Sequence, residues 1–373
     1  MTPRILTLTP GEIFGGVERQ ILDVCAGSSC VSHLDYEPYL FHDAKLAALL
    51  RQAGTDPVVV PVRHKYDPSA AAFIADHAAS KAHDVIHAHG YRAMVSLGVA
   101  SLQGRKLPPV VKTEHGLPEP IRGRPVEEAR SQLNHFLDRW ATCRLKTTVC
   151  YVTKDIRHRF DKPHRGLHRY VVYNGIAPLD RSMFARPEDL PRGAMTIGLV
   201  GRVSEVKGID DVLKALAQDT MPPEVHFVVL GVGPLLEDLK QEAAVLGFAD
   251  RMSFLGFRDN IYDYLAHIDA LLMPSLHEGL PYTLLEAMSM GLPVLASRVG
   301  GLEEVLEDGV TGLLFPPRSP ASIAEACRCI AGDREFAAGL GAQAALVQRQ
   351  SYTLESMLKQ YANVYAEAMD RAL

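Results

Sequence analysis

Short apolar runs alternate with amphipathic segments along most of the chain. Before residue 180 the runs are rich in β-branched residues and have the length of strands: RILTLT, DVIHAH, PVVKTEH, TTVCYV and RYVVYN. The segments between them carry apolar residues at helical spacing. Strands that alternate with helices are typical of βαβ units around a parallel sheet, so the pattern predicts one α/β domain over residues 1–180.

A polar, proline-containing stretch between Ala177 and Met195 interrupts this alternation. A second series of strand-like runs follows: TIGLVG, VHFVVLG, RMSFLGF, DALLMPS and LPVLAS. We therefore expect a second α/β domain over residues 181–352, and a ligand in a cleft between two such domains. Apolar residues at helical spacing predict a final helix over residues 353–373: Leu354, Met357, Leu358, Tyr361, Val364, Tyr365 and Met369.

Composition and charge narrow the functional classes. The chain has 373 residues, more than one core usually organises, and its 47% hydrophobic and 22% charged residues are ordinary for a soluble globular protein. A formal net charge of −5 argues against nucleic acid as the partner, because phosphate backbones require a basic surface. No apolar run approaches the ~18 residues of a membrane span, and the start MTPRILTLTP has no signal-peptide pattern, so we expect a cytoplasmic protein. The six cysteines stand at none of the usual zinc-site spacings, which favours free thiols.

The stretch HEGLPYTLLEAMSMG combines helix signals with two acidic residues. Its proline and final glycine predict a helix over Pro281–Met290. The helix dipole and the flexible Gly279 would let backbone N–H groups bind a phosphate. Glu278, before the helix, would then accept hydrogen bonds from hydroxyls of an attached group, and Glu286 could hold two adjacent hydroxyls of a ribose. Alternatively, both glutamates are ordinary surface residues.

Three further loops follow strands of the second domain. GRVSEVKG places the permanent cations Arg202 and Lys207 beside a helix start, which is what a diphosphate requires. GVGP contains Gly233 and, taken alone, is also typical of a tight turn. In LGFRDN, Phe257 and Arg258 follow a strand, where backbone groups could contact a nucleotide base.

Taken together, these motifs resemble those of the retaining glycosyltransferases of the GT-B fold, specifically the large family 4 group. The resemblance is carried by GGVERQ, TEHG, VYNGI, GRVSEVKG, GVGP, LGFRDN and HEGLPYTLLEAM with its E-x7-E pattern, followed by SRVGGLEEV. The motifs occur in the family's order over nearly the whole chain. The resemblance implies two Rossmann-like, doubly wound parallel-sheet α/β domains that face each other across a cleft, with a C-terminal helix that crosses back to the first domain.

For the second domain, the resemblance implies a donor site for a nucleotide sugar. Arg202 and Lys207 would hold the diphosphate and stabilise the departing nucleotide. Glu278 would contact donor-sugar hydroxyls, and Glu286 would bind the ribose. The other donor-binding positions it implies are Gly201, Gly233, Phe257, Arg258, Gly279 and Leu280. The donor would be a UDP-sugar or a GDP-sugar, with no cofactor.

For the first domain, the resemblance implies contacts to the same donor. Gly15 and Gly16, in the loop after the first strand, would approach the phosphate, which only residues without a Cβ permit. The alternative for this loop is a mobile turn. His115 matches the family's active-site histidine, whose imidazole or neighbouring backbone contacts the donor sugar. The alternative is a hydrogen-bonded histidine at a strand end.

The expected chemistry is electrostatic. No two aspartates stand two apart, so the D-x-D pattern that chelates a divalent ion in the other large glycosyltransferase fold is absent, and we expect transfer without a metal. Arg202 and Lys207 would stabilise charge on the diphosphate as the glycosidic bond breaks. Glu278 and Glu286 do not have the pattern of the flanking acid and nucleophile of a glycosidase. We therefore expect Glu278 to orient the sugar.

The acceptor side is less specific. IHAHGYR places His89, Tyr91 and Arg92 at a strand's carboxyl end, where they could contact acceptor or donor or have structural roles. Residues 144–170 hold eight Lys/Arg against two Asp. This segment is either a solvated basic face or a surface that docks on an anionic membrane, which would suit a glycan or lipid-linked acceptor. The sugar, the acceptor and the oligomeric state stay open.

Two other functions fit parts of the pattern. A nicotinamide dehydrogenase also uses doubly wound sheets, and Asp43 falls about twenty residues after the first loop, but that loop reads PGEIFGGVE rather than G-x-G-x-x-G. A sugar-nucleotide epimerase or a non-catalytic nucleotide-sugar binding protein could use the same scaffold. The presence of both glutamates and both cations favours transfer over a silent binding protein.

Overall fold

The computed structural model describes residues 2–12, 14–31, 34–117 and 125–371, with the backbone alone described for residues 28–31. These residues form two compact units. Unit 1 comprises the described residues of Met1–Gly175 and Leu354–Leu373, and unit 2 comprises Ile176–Thr353. Each unit is a parallel sheet with helices packed on it, which confirms the predicted α/β class with two doubly wound domains.

Unit 1 has a seven-stranded sheet whose neighbouring strands are all parallel. Its strands are β1 (Arg4–Thr9), β2 (Asp35–Leu40), β3 (Val58–Val59), β4 (Val85–His89), β5 (Val110–Glu114), β6 (Thr148–Tyr151) and β7 (Arg169–Val171), in the order β3-β2-β1-β4-β5-β6-β7. Its helices before residue 175 are α1 (Gly16–Val31), α2 (Lys45–Gln52), α3 (Pro68–Ser80), α4 (Gly90–Leu102), α5 (Pro125–Arg144) and α6 (Lys154–Arg159). All five residues of β4 are buried, as expected for a central strand covered on both faces.

Unit 2 has a six-stranded parallel sheet. Its strands are β8 (Met195–Val200), β9 (Val225–Leu230), β10 (Met252–Gly256), β11 (Ala270–Met273), β12 (Val294–Ser297) and β13 (Leu313–Phe315), in the order β10-β9-β8-β11-β12-β13. Its helices are α7 (Ile209–Leu216), α8 (Leu236–Val245), α9 (Ile261–Leu265), α10 (Tyr282–Ser289), α11 (Gly300–Val305), α12 (Pro320–Gly332) and α13 (Arg334–Ser351), and two 3-10 helices cover Arg181–Met183 and Glu205–Lys207.

The last helix, α14 (Leu354–Asp370), belongs to unit 1 although it follows unit 2 in sequence. Its buried face includes Met357, Tyr361 and Tyr365, as the helical spacing predicts. A Cβ on Gly27 of α1 would lie 2.7 Å from Leu354 Cδ2, so Leu354 packs closely on α1 at this glycine. The predicted return of the final helix to the first domain is therefore confirmed.

Both sheets reverse their strand order near the middle. The reversal lies between β1 and β4 in unit 1 and between β8 and β11 in unit 2. Ligands of open α/β sheets bind beyond the carboxyl ends of the strands at such a switch point, because the loops there diverge and leave a crevice. The loops after these four strands are therefore the first places to examine for a functional site.

Candidate active site

The cations Arg202 and Lys207 follow β8 at the switch point of unit 2. Gly201, directly after the strand, has a φ of 136°, and α7 begins after Gly208, whose φ is 64°. Both conformations favour glycine. A Cβ on Gly201 would lie 3.5 Å from Lys207 Cε, so the lysine side chain folds back over the end of the strand.

Two close backbone contacts join the loops around this strand end. A Cβ on Gly208 would lie 2.1 Å from the carbonyl oxygen of Pro274, after β11. A Cβ on Gly233, after β9, would lie 2.2 Å from the carbonyl oxygen of Val203. Larger residues would push these loops apart. The structure therefore places Gly233 as a packing residue of the loops that carry the cations.

Lys207 is paired with Glu278. Lys207 Nζ lies 2.6 Å from Glu278 Oε1, and Ser275 Oγ donates a hydrogen bond to the same oxygen at 2.7 Å. Glu278 is 9% exposed, so water screens this ion pair less than it screens a surface pair. The carboxylate predicted to hold the sugar thus contacts the cation predicted to hold the diphosphate.

These groups line a small recess at the carboxyl ends of β8 and β11. Its polar wall carries Arg202, Lys207, Ser275 and Glu278. The recess therefore combines two cations with one carboxylate. This combination suits a ligand in which an anionic group stands next to a hydroxylated group.

Helix α10 carries Glu286 in its second turn. Pro281 is the capping residue of this helix rather than its first helical residue, which shortens the predicted helix by one residue at each end. Glu286 is buried, and its Oε1 accepts a hydrogen bond from Tyr262 OH at 2.9 Å. The Tyr262 ring in turn lies 5.4 Å from the ring of Phe184. The carboxylate is thus held in a defined orientation.

The other predicted donor-binding residues of unit 2 lie in two loops. Gly279 and the buried Leu280 stand directly before α10. Phe257 follows β10 and is 53% exposed. Arg258 Nη2 lies 2.8 Å from Asp189 Oδ2, so its guanidinium is engaged within the unit. A base could therefore contact the Phe257 ring or the backbone of this loop.

In unit 1, the structure brings His115 and His89 into direct contact. They lie at the ends of the neighbouring strands β5 and β4, where His89 is in register with Thr113. His115 Nε2 lies 2.9 Å from His89 Nδ1. His87, two residues before His89, has its ring nitrogens 2.8 Å from Thr113 Oγ1 and 2.7 Å from Tyr365 OH.

Desolvation keeps these three imidazoles neutral: His87 and His89 are buried, and His115 is half-buried. This desolvation lowers the pKa of His115 to about 4 and that of His87 to about 3, and it holds the pKa of His89 well below its ordinary value. Between the two neutral rings, one nitrogen donates the hydrogen bond and the other accepts it, so the tautomer of His89 fixes the tautomer of His115 and vice versa. His115 is thus a hydrogen-bonded histidine at a strand end. Both an active-site role and a purely structural role are compatible with this arrangement.

Tyr91 and Arg92 stand at the start of α4, directly after β4. Arg92 is buried, with Nη1 at 2.6 Å from His42 Nε2 and the guanidinium 4.6 Å from the centre of the Phe41 ring. Lys65 Nζ lies 4.8 Å from the centre of the partly exposed Tyr91 ring. Of the three acceptor candidates, Tyr91 therefore has the most accessible side chain, because His89 is buried as well.

The glycine pair lies at the start of α1. Gly16 is the first residue of the helix and not a loop residue, and Gly15 precedes it. Gly15 N donates a hydrogen bond to Glu18 Oε2 at 3.1 Å, and burial raises the pKa of Glu18. The helix N-terminus predicted to approach a phosphate is therefore capped by a carboxylate. Ile13, in the same loop, lies outside the described residues.

The basic segment 144–170 covers β6, α6 and β7. Part of its charge is neutralised within it, since Arg159 Nε lies 2.8 Å from Asp155 and Arg169 Nη1 lies 2.5 Å from Asp161. Lys162 and Arg165 are exposed in the turn between α6 and β7. The segment therefore keeps a basic outer face.

Two family models match the chain. The model described as Glycosyltransferase Family 4 matches residues 14–178, and the model described as Glycosyl transferases group 1 matches residues 194–333. Together they span both units. The chain therefore belongs to the family 4, group 1 glycosyltransferases. It is not the nicotinamide dehydrogenase that was considered as an alternative from the sequence.

Individual relatives agree with this class. An uncharacterized glycosyltransferase of Methanocaldococcus jannaschii is 26% identical over 84% of this chain and 84% of its own. The lipopolysaccharide core biosynthesis mannosyltransferase LpsB of Rhizobium meliloti is 30% identical over 53% of this chain and 61% of its own. Among solved structures, Anabaena HepE in complex with UDP-glucose is 24% identical, with 98% of this chain and 99% of that chain covered and a TM-score of 0.81. This likeness confirms the GT-B fold.

Proposed function

We propose that this protein transfers a sugar from a nucleoside-diphosphate sugar to an acceptor hydroxyl, with retention of anomeric configuration. The observation that carries the proposal is the 2.6 Å contact between Lys207 Nζ and Glu278 Oε1 in a recess that also contains Arg202. A diphosphate requires the cations, and the sugar attached to it offers hydroxyls to the carboxylate. The UDP-glucose bound by HepE supports a UDP-sugar as donor, with a GDP-sugar as the alternative.

The proposed reaction needs neutralisation of charge where the donor's glycosidic bond breaks. The bond between C1 of the sugar and the diphosphate oxygen breaks with its electron pair on that oxygen, and Lys207 and Arg202 stabilise the charge. The acceptor oxygen bonds to C1 from the same face and passes its proton to the departing phosphate oxygen. Since two cations neutralise the diphosphate, the proposed reaction requires no divalent metal.

The surroundings of Glu278 support an orienting role rather than a nucleophilic one. A retaining glycosidase places two carboxylates about 5 Å apart across the bond, and an inverting one about 6.5–9.5 Å apart. Among the described residues that line the recess, Glu278 is the only carboxylate. Its Oε1 is also engaged by Lys207 and Ser275. We therefore assign Glu278 to the sugar hydroxyls.

The remaining roles follow from the positions of the side chains. Glu286, oriented by Tyr262, binds the ribose hydroxyls of the nucleotide. In unit 1, we assign His115 to the donor sugar and the partly exposed Tyr91 to the acceptor. The acceptor is a glycan or a lipid-linked sugar, as in the lipopolysaccharide core synthesis for which the Rhizobium relative is named. We place the reaction in the cytoplasm.

Donor turnover with a stereochemical readout tests this proposal. The protein is incubated with α-configured UDP-sugars and GDP-sugars, and the first sugar transferred, or released to water, is examined by proton NMR before it mutarotates. We expect release of the nucleoside diphosphate and an α-configured sugar. Lys207→Ala should abolish release, whereas Lys240→Ala, which removes an exposed lysine paired with Glu237, should not.

Other outcomes separate the alternatives. A first product of β configuration would contradict retention. Conversion of the donor to an epimeric nucleotide sugar would favour the epimerase interpretation. Tight binding without turnover of any donor, in the presence of a panel of glycan acceptors, would favour the non-catalytic one.

A further inference from the structure

Helix α5 buries two strongly polar side chains next to its apolar contacts with the core, and it leaves three large apolar side chains exposed. Asn134 and Asp138 are among its buried residues. Val126, Leu133 and Phe136 are 74%, 54% and 66% exposed. A surface helix normally turns its apolar stripe toward the core. These exposed apolar side chains, spaced to lie on one side of the helix, form an apolar stripe that needs an explanation, because such a stripe is typical of an interaction surface.

Specific contacts hold the helix in this orientation. Asp138 Oδ2 accepts a hydrogen bond from Lys112 Nζ at 2.6 Å, and Lys112 is fully buried beneath the helix. Asn134 Oδ1 accepts a hydrogen bond from Tyr66 OH. Rolling the apolar stripe inward would leave these buried polar groups without partners, which is costly. The outward position of the stripe is therefore built into the fold.

Basic side chains surround the apolar stripe. Three arginines of α5 are exposed: Arg130, Arg139 and Arg144. At the end of the helix, Cys143 Sγ lies 3.8 Å from the carbonyl oxygen of Pro163, so the exposed Lys162 and Arg165 belong to a turn next to the C-terminal end of α5. We call the three apolar residues Val126, Leu133 and Phe136 together with these five cations the α5 surface. The α5 surface thus combines apolar side chains of the helix with cations of the basic segment 144–170.

We propose that the α5 surface binds the interface of a lipid bilayer that contains anionic lipids. Apolar side chains bordered by arginine and lysine are what a helix that lies in such an interface presents. The acidic residues of the helix face, Glu127 and Glu128, are confined to its first turn, where they stabilise the helix N-terminus. Among the described residues no helix is long and apolar enough to cross a bilayer. The proposed contact is a peripheral one.

A second copy of the chain fits the α5 surface less well than a bilayer. Dimers are usually built on a two-fold axis, which places the same patch of each copy against the other. The five cations of one copy would then face the five of the other, and like charges at an interface are destabilising. Anionic headgroups neutralise these cations while the acyl boundary takes up Leu133 and Phe136.

The α5 surface also borders the acceptor candidates of unit 1. The ring of His135, on α5, lies 6.5 Å from the ring of Tyr91. Docking of α5 would therefore bring the Tyr91 region close to the headgroups, where a lipid-linked acceptor presents its hydroxyl. This consequence rests on the proposed function, whereas docking itself is tested without any transfer reaction.

The only tryptophan of the chain, Trp140, is partly buried and packs against Gly98 of α4, so a second tryptophan placed on the apolar stripe by Phe136→Trp reports docking. Full-length protein is mixed with vesicles of phosphatidylcholine alone or of equal parts phosphatidylcholine and phosphatidylglycerol. We expect at least about tenfold stronger binding to the anionic vesicles, weaker binding at high salt, and stronger quenching by brominated lipids in Phe136→Trp than in the wild type. Equal quenching of Phe136→Trp and the wild type, in protein that sediments with the vesicles, would overturn the proposal, because another surface would then be the one that binds.

Matched variants locate the contact. Leu133→Asp with Phe136→Asp, and separately Arg139→Glu with Arg144→Glu, should each weaken binding to anionic vesicles by at least about tenfold. Val245→Asp with Leu246→Asp, at residues of unit 2 that are 79% and 48% exposed, should bind like the wild type. Equal loss in this control, equal affinity for neutral vesicles, or a dimer in light scattering that Phe136→Asp dissociates would each overturn the proposal. Because the substituted side chains are exposed, melting temperatures should stay close to the wild-type value.

Discussion

Lys207 Nζ lies 2.6 Å from Glu278 Oε1, so a carboxylate already neutralises the cation to which we assign the donor diphosphate. Ser275 Oγ holds the same carboxylate oxygen at 2.7 Å. A diphosphate that binds Lys207 must either share this cation with Glu278 or displace the Glu278 carboxylate from it. The two residues are therefore coupled, and substitutions of them should not have additive effects.

The ion pair predicts opposite effects of Glu278→Gln on binding and on turnover. The neutral amide no longer competes for Lys207, so free UDP should bind about three- to tenfold more tightly. Turnover should fall about a hundredfold, because the sugar loses the group that orients it. Calorimetry with UDP and steady-state kinetics with the donor measure the two effects. Weaker binding of free UDP in this variant would contradict the assigned roles.

Glu286 should discriminate between ribose and deoxyribose. Glu286→Ala removes charge-assisted hydrogen bonds worth about 1.5–3 kcal/mol, so UDP binding should weaken by about ten- to a hundredfold. Tyr262→Phe removes the 2.9 Å hydrogen bond that orients the Glu286 carboxylate, so it should weaken UDP binding by a smaller factor than Glu286→Ala does. Calorimetry with UDP and 2′-deoxy-UDP gives the decisive comparison. The wild type should prefer UDP and Glu286→Ala should bind both alike; a variant that still prefers UDP would place the ribose elsewhere.

The desolvated imidazole of His115 should make the protein less stable in mild acid. Burial lowers the pKa of His115 from 6.5 to about 4, so between these values the unfolded chain takes up a proton that the folded chain does not. The stability contributed by the neutral ring is therefore complete above about pH 6.5 and is lost as the pH falls toward about 4. His115→Asn should reduce the fall in melting temperature between about pH 7 and 4.5.

A matched histidine controls this experiment. The side chain of His158 is 86% exposed, so His158→Asn should keep the pH dependence of the wild type. Identical pH profiles for His115→Asn and the wild type would show that His115 is not held as neutral imidazole.

Transfer should survive chelation of metals. Arg202 and Lys207 supply the positive charge that a divalent ion supplies in other nucleotide-sugar enzymes. We therefore expect the same initial rate of donor turnover in excess EDTA and in added magnesium or manganese. A rate that vanishes with EDTA and returns with either ion would overturn the proposed neutralisation by the two cations.

Sequence motifs locate the residues of the donor site but not their contacts. Lys207 and Glu278 are 71 residues apart, and sequence analysis assigns them to different parts of one ligand. Their pairing depends on β8 and β11 being neighbours, which the strand pattern does not specify. Tyr262 belongs to none of the motifs, and its contact with Glu286 spans 24 residues, so no local pattern predicts it. Ser275 could have been found, since a hydroxyl three residues before a loop carboxylate is a common local partner.

For the fold, too, local sequence patterns predict the elements, whereas contacts between distant residues are not predicted. The β-branched strand runs and the spacing of α14 are local signals, and the corresponding elements are present. Strands β2, β3 and β13 are not predicted, because β2 contains Pro38 and polar residues and the other two have only two and three residues. The outward face of α5 could not be predicted either. An apolar stripe normally faces the core, and the sequence does not show that the buried Lys112 recruits Asp138 instead.

Calorimetric titration with UDP and GDP, with EDTA present, tests the central claim most directly. We predict one nucleoside-diphosphate site per chain with micromolar affinity for one of the two nucleotides. Lys207→Ala should weaken this affinity by at least about tenfold, because it removes a charge-assisted contact to the diphosphate. Lys240→Ala, at an exposed lysine that lies 2.9 Å from Glu237, should leave it unchanged. No binding of either nucleotide, or equal affinity in Lys207→Ala and the wild type, would contradict the assignment of this recess as the donor site.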